Sequence, residues 1–572
     1  MNVKNDVFVI GFVGRGFVCC GLVCWLMANW GTVACAEETR ERPNIVLILA
    51  DDLGYSDLGC FGSEIETPRL DQLADQGLRM TQLYNAARCC STRASLLTGL
   101  YPHQAGVGAM SVDNHKPGYR GFLTNRAVCV ASLLRDAGYQ TFMAGKWHLR
   151  GKANQECTPT NHGFDEFFGH FKAYASYYRS DLFERLPAGR TKRQYQPEKF
   201  YATDAITDHA LDFIEMSQQK KDPFFLYVAY NAPHFPLQAP REEIEKELAT
   251  YSKGWDRIRT ARLGKLKAQG LVPANTVLPD RGHVTAVPER NADSPYYDRE
   301  IPAWDDLSAV RQEDLATRMA TYAAMVRIMD ANIGRLVDCL KQQSCLDNTL
   351  IVFLSDNGAC AEWDPFGFDN NPYPANRLYR GDDLAKMGGP RTFHSYGTGW
   401  ANACNSPFRL YKHYNHEGGI SSPTIVYWPK GIARRGEVDR TPTHVIDLAP
   451  TFLELAKATY PNDSPHLLPL AGESLLDVWH GQSKRSRTLF FEHEGNRAVR
   501  SGKWKLVWIN YRKRWELYDI EVDRTESKDR AAEFPERVAA LEKLWLKWAS
   551  ESFVELERVK QPASGMPKIY YW

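Results

Sequence analysis

The sequence predicts an α/β fold: a large, mostly parallel sheet flanked by helices, with a smaller unit of different texture at its C-terminal end. Three observations predict it. Unbroken apolar runs of strand length recur along the chain, helical patterns separate them, and the runs close on polar residues of similar kind. From Arg487 onward the runs shorten and are punctuated by turns.

Taken in order, Ile45 to Leu49 in "RPNIVLILADDLG" is a branched-apolar run after a proline. Lacking alternation, it reads as a strand buried on both faces. It ends in Asp51 and Asp52, at the edge where open α/β sheets bind ligands. "TPRLDQLADQG" follows as a helix, with Thr67 as N-cap, Pro68 at the first helical position and Gly77 as the stop. "RAVCVASLLRDAG" is an amphipathic helix closed by Gly138, and "YQTFMAGKWH" a strand ending in Lys146 and His148. Phe224 to Ala229 is a third strand, ending near His234. A long helix through "MATYAAMVRIMDANIGRLVDCL" leads to "TLIVFLSDNG", a strand ending in Asp356 and Asn357. Beyond "HGQSKRSRTLFFEHEG" come the short strands "RTLFFEHEG", "RAVRSGKWKLVWI" and "RWELYDI", then a helix from about Glu533 to Trp548.

Whole-chain composition excludes some partners. The 572 residues exceed one ordinary core, which favours a large domain plus a smaller one. The 70 basic and 69 acidic residues nearly cancel, so nothing argues for nucleic acid or an anionic membrane. Residues 1–36 differ: an apolar stretch after Lys4 runs to "VACA", with Ala34 and Ala36 ahead of Glu37. That pattern reads as a signal peptide, hence export to a periplasm or beyond the cell. No later segment is apolar enough to span a bilayer. Cys19, Cys20, Cys24 and Cys35 leave with the leader, and nine of 13 cysteines remain. An odd number in an oxidising compartment leaves at least one thiol unpaired.

Four strands in succession thus deliver Asp, Asn, Lys or His to their carboxyl ends, and a convergent site is expected there. Asp51, Asp52, Asp356 and Asn357 offer hard oxygen donors, which suit Ca²⁺ or Mg²⁺ better than zinc. With Arg93, Lys146 and Lys412 nearby, such a cation would make a trap for a compact oxyanion such as a sulfate or phosphate ester.

"CCSTRASLLTG" resembles the nucleophile segment of the sulfatase family, Cys-x-Pro/Ala-x-Arg followed by a leucine-rich turn and Thr-Gly. "ADDLGYSDLGCFG", "GKWHL", "NAPHFPLQAP", "LSDNG" and "PFRLYKHYNHEGGISSP" resemble that family's other blocks, in its order. Agreement runs from about Arg42 to "GNRAVRSGKWKLV". The resemblance implies a mixed, mostly parallel catalytic domain over 37–482, and over 483–572 a small antiparallel sheet with one helix. It also implies oxidation of a cysteine to Cα-formylglycine by a formylglycine-generating or anaerobic sulfatase-maturating enzyme. Counting back from Arg93 makes Cys89 that residue and Cys90 its bystander. Ser91 stands where the pattern has proline or alanine.

In the roles the resemblance implies, Asp51, Asp52, Asp356, Asn357 and the modified Cys89 hold the cation. Arg93 steadies the aldehyde hydrate and Lys146 bridges it to the sulfate. Asp356 draws a proton from the attacking hydroxyl. His234 and Lys412 bind sulfate, one of them protonating the leaving alcohol, and His148 drives sulfate release. From the residues themselves, His493, Arg497 and Arg500 are candidates for the substrate mouth, a solvated surface face being the alternative for the two arginines. The aromatic and polar segments Tyr396 to Trp400 and Gly254 to Trp304 are expected to shape it. The expected reaction is hydrolysis of sulfate esters, aryl or carbohydrate.

Rival readings use the same residues. A cysteine-dependent phosphatase needs a longer Cys-to-Arg spacing than the three residues between Cys89 and Arg93. A metal-dependent phosphodiesterase of the wider fold needs more histidine ligands. An inactive sulfated-glycan-binding protein would leave Cys89 unmodified.

Overall fold

The computed structural model describes residues 42–190, 193–283, 295, 296, 298–362, 365–369, 376–483 and 485–557, with backbone alone for 375, 570 and 571. The expected signal peptide lies outside the described residues. Pro43–Trp572 forms one compact unit that holds all three sheets, of ten, four and two strands.

The large sheet begins with β1 (Asn44–Ala50), β2 (Leu78–Tyr84), β3 (Gln140–Lys146), β4 (Glu166–His170), β5 (Glu184–Leu186), β6 (Phe224–Ala229) and β7 (Thr349–Ser355). The two-residue β8 (Ala375–Asn376) pairs outside it, and β9 (Ser421–Tyr427), β10 (Glu437–Asp439) and β11 (Thr443–His444) complete it. The order is β10-β2-β9-β7-β1-β6-β3-β4-β5, with β11 also on β2. β9 and β5 run antiparallel to their neighbours; the central β7, β1, β6 and β3 are parallel. Alternate residues of β1 feed opposite layers: Val46 and Ile48 join one core, Ile45, Leu47 and Leu49 the other. That two-sided burial is why the strand reads as a continuous apolar run.

The C-terminal sheet is antiparallel: β12 (Thr488–His493), β13 (Asn496–Ser501), β14 (Trp504–Ile509) and β15 (Arg514–Asp519) in sequential order. The last strand, β16 (Tyr570–Tyr571), pairs with β8. Period-two alternation again sorts the faces. Val499, Leu506 and Leu517 pack on Leu541 and Trp545 of the helix Pro535–Glu551. Leu489, Phe491, Ala498 and Val507 pack on Tyr84, Ala87 and Ile420 of the large domain. The small sheet is thus anchored beside the chain entering the helix Cys89–Thr98.

Some local expectations change. Thr67 does precede Pro68–Gln76, but its hydroxyl does not cap that helix. It accepts from the Gly59 N–H (2.8 Å) and donates to Asp71 Oδ1 (3.0 Å), tying down the preceding turn. The helix after Arg126 starts only at Val130, and the last helix begins at Pro535. All nine cysteines of the described chain are free, eight of them buried, so they act as small apolar groups. Tyr396 and Trp400, expected at the mouth, are core residues. The Trp400 indole donates to the Leu315 carbonyl (2.8 Å) and its ring packs on Trp255 and Trp304. Of the 254–304 segment, 284–294 and 297 lie outside the described residues.

Candidate active site

Register brings the strand ends together. Ala50 pairs with Ser355, Leu49 with Ala229, and Gly145 with Ala229, so β1, β7, β6 and β3 finish at one edge. The residues that follow converge there, and Asp51, Asp52, Lys146, His148, His234, Asp356, Asn357 and Lys412 are all buried. Gly145 makes the approach possible. Its φ is +116°, and a Cβ there would lie 1.9 Å from the Ala229 carbonyl oxygen. Asp52 (φ 67°), Ala87 (φ 58°) and His148 (φ 54°) hold left-handed conformations beside the site. Such strain persists where surrounding structure imposes it, and it concentrates at functional sites.

Cys89 opens the helix Cys89–Thr98, where backbone N–H groups favour negative charge. Its Sγ lies 3.3 Å from His148 Nδ1. Cys90 turns away, its Sγ 3.2 Å from the Ala109 carbonyl. Arg93, fully buried one turn on, donates to Asp356 Oδ2 (2.7 Å) and the Lys146 carbonyl (2.8 Å). Lys146 Nζ donates to Asp51 Oδ2 (2.5 Å), and Lys412 Nζ reaches both Asp52 oxygens (2.7 and 2.9 Å). Asn357 Nδ2 donates to Asp52 Oδ1 (2.7 Å), and His234 Nε2 lies 3.3 Å from Asp52 Oδ2.

This arrangement fits a hard divalent cation. Asp51 Oδ1 and Asn357 Oδ1 are buried with no hydrogen-bond partner, an arrangement that proteins rarely tolerate. Burial pushes the Asp51 carboxyl up to about 6, against Lys146 and Arg93, and raises Asp356 well above the carboxylate range. A cation would relieve both. Asp51, Asp52 and His234 also present ligand-type atoms within 4.8 Å of one another; the surrounding donors remain mainly oxygen, as Ca²⁺ or Mg²⁺ prefers.

Burial pulls His148 and His234 down to about 4, so both are neutral near pH 7. His234 Nδ1 donates to the Phe235 carbonyl (2.6 Å), which leaves Nε2 to accept from Lys412 Nζ at 3.5 Å. Lys412 keeps its charge: burial opposes it, but Asp52 holds the ammonium above its usual value.

The sequence also points to His493. It sits on β12 with its ring 5.9 Å from that of His413, itself between Glu362 Oε1 (3.1 Å) and Glu494 Oε2 (3.0 Å). Glu362 also pairs with Arg88 (3.4 Å) and lies 4.0 Å from Lys412. Sequence reasoning missed Arg88, Glu362 and His413. The available signals were an arginine inside "ARCCSTR", an acid just past the Asn357 strand end, and a histidine adjoining Lys412. Arg497 and Arg500 are not at this mouth. Arg497 lies over the Trp508 and Trp545 rings and donates to the Leu556 carbonyl, while Arg500 is buried against Tyr84 and Gln82. Beside His234 stands an aromatic group, Tyr174, Phe235 and Phe393, that sequence reasoning also missed.

Comparison with known proteins follows the same outline. The family model described as Sulfatase matches residues 43–458, and one described as N-sulphoglucosamine sulphohydrolase, C-terminal, matches 408–547. An uncharacterized sulfatase of Schizosaccharomyces pombe is 34% identical over 551 residues, covering 91% of this chain and 95% of the relative. The arylsulfatase of Klebsiella aerogenes is 36% identical over 450 residues, covering 76% and 92%. Among solved structures, Ps i-CgsB in complex with k-i-k-neocarrahexaose matches with a TM-score of 0.62 at 25% identity, covering 92% of this chain and 96% of that one. The fold and the matched spans from residue 43 to 547 therefore agree, and this protein belongs to the sulfatase family of sulfuric ester hydrolases.

Proposed function

We propose that this enzyme hydrolyses sulfate esters of aryl or carbohydrate alcohols through a Cα-formylglycine hydrate formed from Cys89, at a site that also binds Ca²⁺ or Mg²⁺. The observation that carries this is the placement of Cys89 Sγ 3.3 Å from His148, on a helix N-terminus beside two orphaned carboxylate and amide oxygens. Asp51, Asp52, Asp356, Asn357 and residue 89 would hold the cation, which would draw electron density from the sulfate oxygens.

The chain's own groups then divide the work. Lys146 and Lys412 bring positive charge to the sulfate, and Arg93 orients Asp356 and the Lys146 backbone. Asp356 accepts the proton of the attacking hydroxyl. Lys412 and His234, linked at 3.5 Å, deliver a proton to the leaving alcohol. Neutral His148 accepts the proton of the second hydroxyl as sulfate departs. A plain serine could attack but would lack that second hydroxyl, which is the chemical reason for the modification.

Two of the relatives named above support that substrate range: the Klebsiella aerogenes protein is named an arylsulfatase, and Ps i-CgsB was solved with k-i-k-neocarrahexaose. The half-buried Tyr174 and Phe393 offer a face on which an aryl or sugar ring would stack. We place the protein outside the cytoplasm after removal of residues 1–36. The described residues contain no helix long and apolar enough to cross a membrane.

Mass spectrometry of the peptide containing residue 89, on enzyme matured in a converting host, tests the reading alongside elemental analysis. Aldehyde in place of thiol with bound Ca²⁺ or Mg²⁺ is expected. An unconverted thiol in fully active enzyme, or stoichiometric zinc as the sole metal, would sink it. A panel of sulfated glycans identifies the natural substrate.

A further inference from the structure

A second cleft, about 580 Å³ in volume, shares no residue with the catalytic cluster. It opens between mid-β2 (Thr81, Gln82), the segment 271–277, the Pro407 turn and the loop 520–528 of the C-terminal unit. In a chain whose charges nearly cancel, its lining carries six basic side chains against two acidic ones. Arg485, Arg487 and Lys528 are matched by Asp477 (2.6 Å), Asp447 (2.5 Å) and Glu533 (3.6 Å).

Its root is not matched. Lys505 contacts Glu417 (2.9 Å) and Glu526 (2.8 Å), and Arg524 contacts the same Glu417 (2.8 Å). Arg500 is a third cation for those two carboxylates, joined to Glu417 only through the Tyr84 hydroxyl. It is 5% exposed, and its Nε has no hydrogen-bond partner. At the rim, Arg440 is exposed and donates to the Gly270 carbonyl. Among the described residues, neither Arg440 nor Arg500 has a carboxylate within ion-pair distance. A buried guanidinium with an unsatisfied N–H is costly unless an acceptor completes it. With no carboxylate beside Arg500 or Arg440, an oxyanion, planar or tetrahedral, is the acceptor that suits guanidinium groups best.

We infer that this cleft is a second oxyanion site that takes a sulfate group carried on an oligosaccharide, away from the reacting ester. Val277 and Val522, 63% and 76% exposed, flank it as apolar contacts for the sugar faces. The site is argued from charge and burial; choosing sulfate among oxyanions rests on the activity proposed above.

Hydrogen exchange of the full chain tests it, in the Cys89→Ala variant so that no turnover is needed and failure of the catalytic reading leaves the result standing. The probes are a heparin-derived hexasaccharide, its desulfated counterpart and inorganic sulfate. Segments 271–277 and 520–528 are expected to gain protection from sulfated probes alone. Arg440→Glu and Lys528→Glu, both at exposed positions, should weaken that effect by about tenfold. Protection by the hexasaccharide but not by inorganic sulfate assigns the ligand to a glycan chain; equal protection by both assigns it to the free oxyanion, and either supports the site. Equal protection by the desulfated probe, protection untouched by both reversals, or none at either segment would overturn it. In the unmutated background, the same reversals should leave small aryl sulfate turnover within about twofold, because the charges lie outside the catalytic cluster and are screened.

Discussion

Cys89 Sγ faces His148 at 3.3 Å, while Cys90 Sγ packs under the Ala109 carbonyl at 3.2 Å. Cys89→Ala should therefore abolish sulfate ester hydrolysis with the fold intact, and Cys90→Ala should keep most of it. The reverse pattern, by activity assay and circular dichroism, would refute the choice of Cys89. The two histidines also differ in their partners. His148→Ala should release at most about one equivalent of alcohol per site in a burst and accumulate sulfate on the peptide containing residue 89. His234→Ala should slow the first step and leave no such adduct; an adduct in His234→Ala alone would exchange the two roles. Asp51 carries a pH signature. Burial raises its metal-free carboxyl to about 6, so ionising it costs stability as pH rises from the ordinary carboxylate range through 6. A bound cation offsets that cost only when the carboxylate is ionised. The gain in Tm on adding Ca²⁺ should thus be larger at pH 7.5 than at pH 5, and a pH-independent gain would remove Asp51 from the ligand set.

At the scale of elements, β3 delivers Lys146 and His148 only because Gly145 lets it crowd β6. In Gly145→Ala, a Cβ 1.9 Å from the Ala229 oxygen at φ +116° should cost about 3 kcal/mol or more. It should also lower activity by displacing Lys146. An unchanged urea midpoint would contradict the strain argument. The apolar runs of β1, β6 and β7 were legible in the sequence because burial on both faces leaves no polar alternation. The cap expected at Thr67 does not form, since its hydroxyl bonds the Gly59 N–H of the preceding turn and the Asp71 carboxylate within the helix instead.

Across the whole molecule, the small sheet is fastened to the large one by a buried ion cluster. Lys505, with its side chain fully buried, joins Glu417 of the large domain to Glu526 of the C-terminal unit. Lys505→Ala removes the ion-pair partner of Glu526 and leaves Glu417 to Arg524, and should cost about 3–5 kcal/mol by denaturant titration. Burial opposes the charge on Glu417, but Lys505, Arg524 and Arg500 hold its carboxyl below the usual range. Its contribution is full at neutral pH and is lost as pH falls through and below that range. In Lys505→Ala the protection weakens, so less stability should be lost on acidification; an unchanged pH profile would argue against the cluster.

The sequence alone determined the parallel core and the four strand-end clusters, because these follow from local apolar runs and fixed spacings. The choice of Cys89 over Cys90 rests on the spacing to Arg93 in the family motif that the segment resembles. Only the tertiary structure decided which distant residues meet. Arg88, Glu362, His413 and Tyr174 reach the site from four separate segments. Tyr396 and Trp400, polar-edged and aromatic enough for a mouth, instead fill the core against Trp255 and Trp304. Burial and partnership depend on packing between segments far apart in the chain, and hydrophobic period and motif spacing carry no information about that.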